Sequence, residues 1–423
     1  MKILKAAYVL PISSEPIEDG AVAIEGKRIA AVGKAADVIS QFADAEVEDL
    51  GTAALLPGFV NCHSHLELTA MRGALDAVEH DFRSWLLTLN DKRAAMTDED
   101  VEESAFLGAR EGAAAGVTCF GDVGRLGFAG VKALKRAGLR GVVFQETEFS
   151  PDNRTADDDF KALAEKFEKL HAESTELVKV GLSPHSPYTV GSQLFELIAQ
   201  YAIINRVPLT IHAAESANEM ELMTRGTGFF TEVYERFDVE WQSPMCTPIE
   251  YLERLGVLSA RPLLAHCVHA SETDIRRIGS NGASVAHCPK SNAKFGHGYA
   301  PLEQLLDAGV TVGLGSDSVA SNNVCDPLEE ARFAALAARN RAGSERFVTA
   351  REVLRAATLG GAEGLGSGNE IGSLEPGKFA DLAVIGLSAS AQQPINDIEA
   401  TLVFSSNGRD VVKTFVNGEL VTR

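Results

Sequence analysis

The sequence predicts an α/β protein, a (β/α)8 barrel of the TIM type with a small β-sandwich domain built from both termini. Three observations predict it: eight short apolar runs of strand character lie between residues 55 and 317, helical stretches separate them, and the chain ends lack that alternation. The runs are Leu55–Val60, Val117–Val123, Val142–Glu148, Leu177–Ser183, Pro208–Ala213, Pro262–Cys267, Ala283–Pro289 and Thr311–Asp317. Between them Glu102–Ala115, Asp158–His171, Gln193–Ile204 and Leu302–Ala308 carry helical patterning. A doubly wound sheet would alternate in the same way, but no Gly-x-Gly-x-x-Gly turn opens any unit.

The ends read as β structure. Ala21–Glu25 and Arg28–Val32 are broken by Asp19-Gly20 and Glu25-Gly26, and Leu382–Ile385, Thr401–Phe404 and Val411–Leu420 follow Gly372-Ser-Leu-Glu-Pro-Gly-Lys. The expected partition is therefore 1–56 and 369–423 in the sandwich and 57–368 in a metal-binding barrel. Ser216–Thr247 is long for a βα connection, and helices, with a lid as one role for them, are expected there.

Composition bounds the partners. The 423 residues are 45% hydrophobic and 23% charged, which is globular, and a net charge of -20 argues against sequence-independent nucleic-acid binding and against anionic membranes. A small-molecule substrate fits that balance. No apolar run approaches the ~20 residues of a membrane helix. Lys2 and Lys5 precede an apolar run that stops at Pro11 without a small-residue cleavage site, so a first strand is expected rather than a signal peptide. Cysteines 62, 119, 246, 267, 288 and 325 form no Cys-x-x-Cys pair and read as reduced thiols of a cytoplasmic protein.

The polar residues that end the strands form one set, because active sites of such barrels sit at the C-terminal strand ends. His63 and His65 end strand one at i, i+2 and therefore share a face. Strand four runs into Ser183-Pro184-His185, strand five ends in His212 with Glu215 just beyond, strand six in His266 and strand eight in Asp317. Three histidines and an aspartate suit a catalytic zinc with one open position. Glu215 stands beside that site as a proton shuttle, His266 as a polarising group, and Asp317 as both ligand and proton acceptor. His80, His171 and His297 read as surface or loop histidines, while His269 and His287 are evenly balanced. Cys62, Cys267 and Cys288 read as small core residues, and Asp122 as either a helix cap or a site residue.

Longer motifs carry a resemblance. They are Pro-Gly-Phe-Val-Asn-Cys-His-Ser-His at 57–65, Gly-Leu-Ser-Pro-His-Ser-Pro-Tyr at 181–188, Ile-His-Ala-Ala-Glu-Ser at 211–216, Ala-His-Cys-Val-His at 265–269, Cys-Pro-Lys-Ser-Asn at 288–292 and Gly-Leu-Gly-Ser-Asp-Ser-Val-Ala-Ser-Asn at 313–322. With Gly-Ser-Leu-Glu-Pro-Gly-Lys-Phe-Ala-Asp-Leu at 372–382, the chain resembles the metal-dependent amidohydrolase superfamily over nearly its whole length. Within it the likeness is to the branch of triazine hydrolases, guanine deaminase and methylthioadenosine/S-adenosylhomocysteine deaminases. The resemblance implies one divalent metal, zinc or else iron, on His63, His65, His212 and Asp317. It implies Glu215 as the shuttle, His266 orienting the nucleophile and His185 contacting substrate. Strand four ends without a lysine (Leu182, Ser183), so the implied site is mononuclear.

Trp85 resembles a pocket tryptophan of the nucleoside deaminases. The glutamate that follows it there, gripping the ribose, is replaced here by the stretch Asn90-Asp91-Lys92-Arg93. Glu67, Glu146, Arg154, Ser291 and Asn292 complete the substrate-binding candidates. The form His-x-His-Leu-Glu is also similar to sequences assigned as aminodeoxyfutalosine deaminases. The implied activity is hydrolytic deamination of an adenine-bearing nucleoside (aminodeoxyfutalosine, methylthioadenosine, S-adenosylhomocysteine or adenosine), releasing ammonia. The alternative is hydrolysis of guanine, a substituted triazine or a cyclic amide by the same machinery. A non-catalytic binding barrel is disfavoured because all six central polar residues are present. A homodimer or tetramer is the oligomer that the resemblance suggests.

Overall fold

Five strands precede the barrel: β1 (Lys2–Val9), β2 (Ile17–Glu25), β3 (Arg28–Lys34), β4 (Glu46–Asp49) and β5 (Ala53–Pro57). The barrel follows in a computed structural model that describes residues 1–344 and 346–422. Its first half is β6 (Phe59–Ser64), β7 (Val117–Gly124), β8 (Arg140–Glu146) and β9 (Val178–Ser183), parallel and in chain order. Its second half is β10 (Thr210–Ala213), β11 (Leu263–His266), β12 (Ser284–His287) and β13 (Val312–Leu314), parallel in the same way. Single parallel bridges, Leu182 to Leu209 and Ser64 to Asp317, join the halves on both sides and close the ring. Helices cover the outside, so β7 and β8 are buried along their whole length and read as continuous rather than alternating apolar runs.

The helices are set by capping and by their inner stripes. Asp98–Ala114 opens on a Thr97/Asp100 capping box and turns Val101, Ala105, Ala109 and Ala113 inward. Ala156–His171 opens on Asp157, Asp158 and Asp159, where carboxylates favour the positive end of the helix dipole.

Three strands close the chain: β14 (Leu382–Gly386), β15 (Val411–Val416) and β16 (Glu419–Thr422). They join the N-terminal strands in one sheet of order β16-β15-β14-β5-β1-β2-β3, with β4 beside β1. The two ends of the chain meet at β14 and β5, antiparallel, with Leu382 opposite Pro57 and Val384 opposite Leu55. Strand β1 forks, pairing β4 through Lys2–Lys5 and β5 through Tyr8–Val9. Leu4, Val22, Leu55, Leu382 and Phe415 then share one apolar cluster, so the β layer has a core of its own. A buried clamp ties it to the barrel: Arg140 of β8 donates to Asp381 at 2.8 Å and to Asn417 at 2.8 Å.

Three expected strands are redrawn. The run Leu55–Val60 is two strands in two sheets, split at Gly58. The Gly58 amide donates to Asp381 in the terminal layer, the Phe59 amide to Gly116 in the barrel, both at 2.9 Å. A Cβ at Gly58 would meet Thr118 at 2.2 Å, so the crossing requires glycine. Thr401–Phe404 lies inside the helix Ile398–Ser405, because Asp397 caps the Ala400 amide and starts a helix there. Val411–Leu420 is a hairpin, turned by Asn417 (φ 54°) and Gly418 (φ 79°).

Candidate active site

The strand ends at one mouth of the ring bring His63, His65, His212, His266 and Asp317 together. His65 and His212 face each other through Nε2 atoms 3.2 Å apart. Asp317 Oδ1 lies 3.7 Å from His63 Nε2 and 3.5 Å from His65 Nε2. The rings of His63 and His212 pack edge to face with centroids 4.8 Å apart. Strand β13 can approach β6 this closely because Gly315 lies between them; a Cβ there would meet His63 Cβ at 2.7 Å and Cys288 Sγ at 2.9 Å. Backbone strain gathers at the same rim. Ala214 (φ 52°), His266 (φ 71°) and Asp317 (φ 57°) all occupy the left-handed region, which costs a non-glycine residue energy and aims the side chain off the strand direction.

The donor set fits a divalent cation. His65 Nδ1 donates to the Val123 carbonyl and His212 Nδ1 to the His185 carbonyl, both at 3.0 Å. With Nδ1 carrying the proton, both Nε2 lone pairs point at each other, an arrangement that needs a positive ion between them. Both ring nitrogens of His63 are buried without a hydrogen-bond partner. Ligand atoms of His63, His65 and His212 all lie within 4.8 Å of one another. Burial, and then the neighbouring imidazoles, push His63 well below the usual histidine range; burial brings His65 to about 4. Neutral imidazole is the form that binds metal. Burial works to raise Asp317, but His266, His65 and the Ser291 hydroxyl outweigh it and hold the carboxylate ionised.

Glu215 stands just outside this cluster, its Oε1 3.8 Å from His266 Nε2. Burial pushes its carboxyl up to about 7, with His212 opposing and Asp317 adding to the rise. Its loop is held by Glu219, whose carboxylate accepts the amides of Ala214 at 3.0 Å and Glu215 at 2.8 Å. Sequence reading missed Glu219, although Ser216 and Glu219 have the capping-box spacing that signals a loop fixed at a helix start.

A cavity of about 560 Å³ opens above these groups, with His65, His212, Glu215, His266 and Asp317 on its floor. Trp85, Leu86 and Leu89 of the helix Phe82–Ala94 form one wall, and Phe229, Phe230 and Val233 of the helix Phe229–Arg236 form another. The two helices are linked by the Arg83–Glu232 ion pair at 2.9 Å. The long segment after Glu215 thus carries two helices, Ala217–Arg225 and Phe229–Arg236, the second of them lining the cavity.

The substrate-binding candidates divide. Trp85, Glu146 and His185 line the cavity. Despite burial, His185, Arg93, His65 and Arg125 hold Glu146 down to about 2; burial takes His185 to about 3. Glu67, Arg154, Ser291 and Asn292 are placed differently from the expectation. Glu67 is buried beneath the wall, where it pairs with Arg93 and accepts the Arg125 and Leu126 amides at 3.3 and 3.2 Å. Arg154 is exposed and bound to Asp152, at the surface. Ser291 donates to Asp317 at 2.5 Å and Asn292 accepts from His266 Nδ1 at 2.8 Å, so both face the proposed machinery from behind. His297, read as a surface or loop histidine, does lie in the loop after the helix Pro289–Lys294, but its ring is buried, with Nε2 3.7 Å from Glu215.

Comparison with known proteins gives the family. Residues 20–45 match an imidazolonepropionase-like composite domain of bacteria. A curated 5-methylthioadenosine/S-adenosylhomocysteine deaminase of Thermodesulfovibrio yellowstonii is 31% identical over 99% of this chain and 92% of its own length. An adenosine deaminase from Xanthomonas campestris, solved with bound zinc, superposes with a TM-score of 0.85 at 30% identity, covering 99% of this chain and 92% of that one. An atrazine chlorohydrolase from Arthrobacter aurescens, complexed with zinc, gives a TM-score of 0.85 at 25% identity over 100% of this chain and 95% of that one. Residues 54–421 match the amidohydrolase family, and the chain belongs to it.

Proposed function

We propose that the protein is a hydrolytic deaminase of an adenine-bearing nucleoside, with zinc, or else iron, held by His63, His65, His212 and Asp317. The observation that carries this reading is Glu215, a carboxyl buried on the cavity floor and brought to about 7, beside a histidine-rich cluster fit for a cation. A group near neutrality can both take and give a proton, which hydrolysis at an aromatic amidine carbon requires. The names of the deaminase relatives support the substrate class.

A bound divalent cation supplies Lewis acidity that makes water nucleophilic near neutral pH. The protein's residues do the rest. Asn292 accepts the His266 Nδ1 proton, so His266 Nε2 presents a lone pair that orients the attacking water. Water oxygen bonds to the ring carbon that carries the amine. Glu215 takes one water proton and delivers it to the adjacent ring nitrogen. Asp317, held by the hydroxyls of Ser291 and Ser321 at 2.5 and 2.9 Å, takes the second and passes it to the amine. The carbon–nitrogen bond then breaks, ammonia leaves and a ring carbonyl remains. Trp85 and the Phe229–Phe230 wall exclude bulk water, and Glu146 offers an ionised acceptor to a sugar hydroxyl.

Glu215→Gln tests the assignment. It should keep its metal and lose roughly two to four orders of magnitude in ammonia release, the scale of positioned acid–base help. Activity near wild type would remove Glu215 from the mechanism.

A further inference from the structure

His297 lies outside every role assigned above, yet its placement is specific. Its ring is held between Phe295, stacked at 5.1 Å, and Phe82, edge-on at 4.9 Å, with Nε2 buried and unpartnered 3.7 Å from Glu215 Oε1. His266 Nε2 approaches the same carboxyl oxygen from 3.8 Å. One residue anchors both imidazoles: Asn292 accepts His266 Nδ1 through its side chain and the His297 amide through its main-chain carbonyl, at 2.8 and 2.9 Å. A buried polar nitrogen without a partner is costly, and one aimed at a carboxylate is a donor waiting for its acceptor. Distances just beyond hydrogen-bond contact are common at such sites before substrate binds and close when it does.

We infer that His297 is a positioning residue for the proton shuttle: its Nε2–H donates to Glu215 Oε1 and fixes the carboxylate's orientation. This rests on the reading of Glu215 as the shuttle. Phe82 and Phe295 also line the cavity, so the ring that steadies Glu215 is steadied in turn by the wall that receives substrate.

The test compares His297→Phe with His297→Gln in the zinc-loaded enzyme, in wild-type and Glu215→Gln backgrounds. His297→Phe should lower kcat on the order of 10-fold with KM within about twofold, and Gln, which keeps a donor, should restore most of it. In the Glu215→Gln background the same change should have no further effect, since residues acting as a unit are not additive. Equal losses in both backgrounds, or an unchanged kcat, would overturn the inference. Histidine ¹⁵N NMR gives a readout independent of turnover. A protonated His297 Nε2 whose resonance shifts in Glu215→Gln supports the contact, and an Nε2 insensitive to that change refutes it. Silence of the wild type on every adenine nucleoside would count against the proposed substrate class, while the NMR result still decides the contact.

Discussion

Asp122 lies two residues before the end of β7 and accepts the Leu66 amide at 2.8 Å, capping the short helix Leu66–Met71 that follows His65. Of the two roles open to it from sequence, the structure places it in the cap, outside the cavity lining. Burial pushes its carboxyl from the ordinary 3.8 to about 7, against the pull of the Leu66 amide and the Ser64 hydroxyl. Between those values the folded protein binds more protons than the unfolded chain, so this group's contribution to stability falls as pH rises through that window. Asp122→Asn keeps an acceptor without a charge. It should gain in Tm relative to wild type at pH 8 compared with pH 5, and an unchanged difference would show that Asp122 stays ionised without cost. The histidines, Glu215 and Asp317 were legible because residue type and strand-end position suffice to place them. Glu67, Ser291 and Asn292 sit close by, but what their side chains reach is decided by tertiary neighbours, Arg93, Asp317 and His266. His297 follows a short helix rather than a strand, so periodicity gave no cue to its direction.

Among the elements, the helix Phe82–Ala94 forms one wall of the cavity. Asp81 caps it, accepting the Arg83 and Ser84 amides at 3.3 Å, and Arg83 reaches across to Glu232. Asp81→Ala should lower the stability of this helix by removing its cap. Because Trp85 and Leu89 ride on this helix, KM should rise with kcat nearly unchanged, the signature of binding lost equally in ground and transition states. A fall in kcat at constant KM would instead tie the helix to the chemical step. The barrel strands were legible as elements because burial on both faces leaves continuous apolar runs. Their limits were not where a run serves two sheets, as at Gly58, or where a cap turns an apolar run into a helix, as at Asp397.

Across the whole molecule, ring closure brings β6 and the residues just after β13, some 250 positions apart in sequence, together at the single bridge between Ser64 and Asp317. Closure is what converts separate strand-end histidines into one cluster, and the alternation of strands and helices foretold it. The pairing of the two termini was legible only as a shared β character, since sequence offers no register; β14 against β5 and the Arg140–Asp381 clamp supply it. In the proposed reaction this cluster acts on an adenine ring. The most direct test is ammonia release by the zinc-loaded protein from adenosine, methylthioadenosine, S-adenosylhomocysteine and aminodeoxyfutalosine, with guanine and a chlorotriazine alongside. At least one adenine nucleoside should be turned over to its hypoxanthine product with matching ammonia, an activity abolished by chelation and restored by zinc. A metal-loaded protein silent on all four adenine compounds, yet hydrolysing guanine or the triazine, would contradict the proposed reaction.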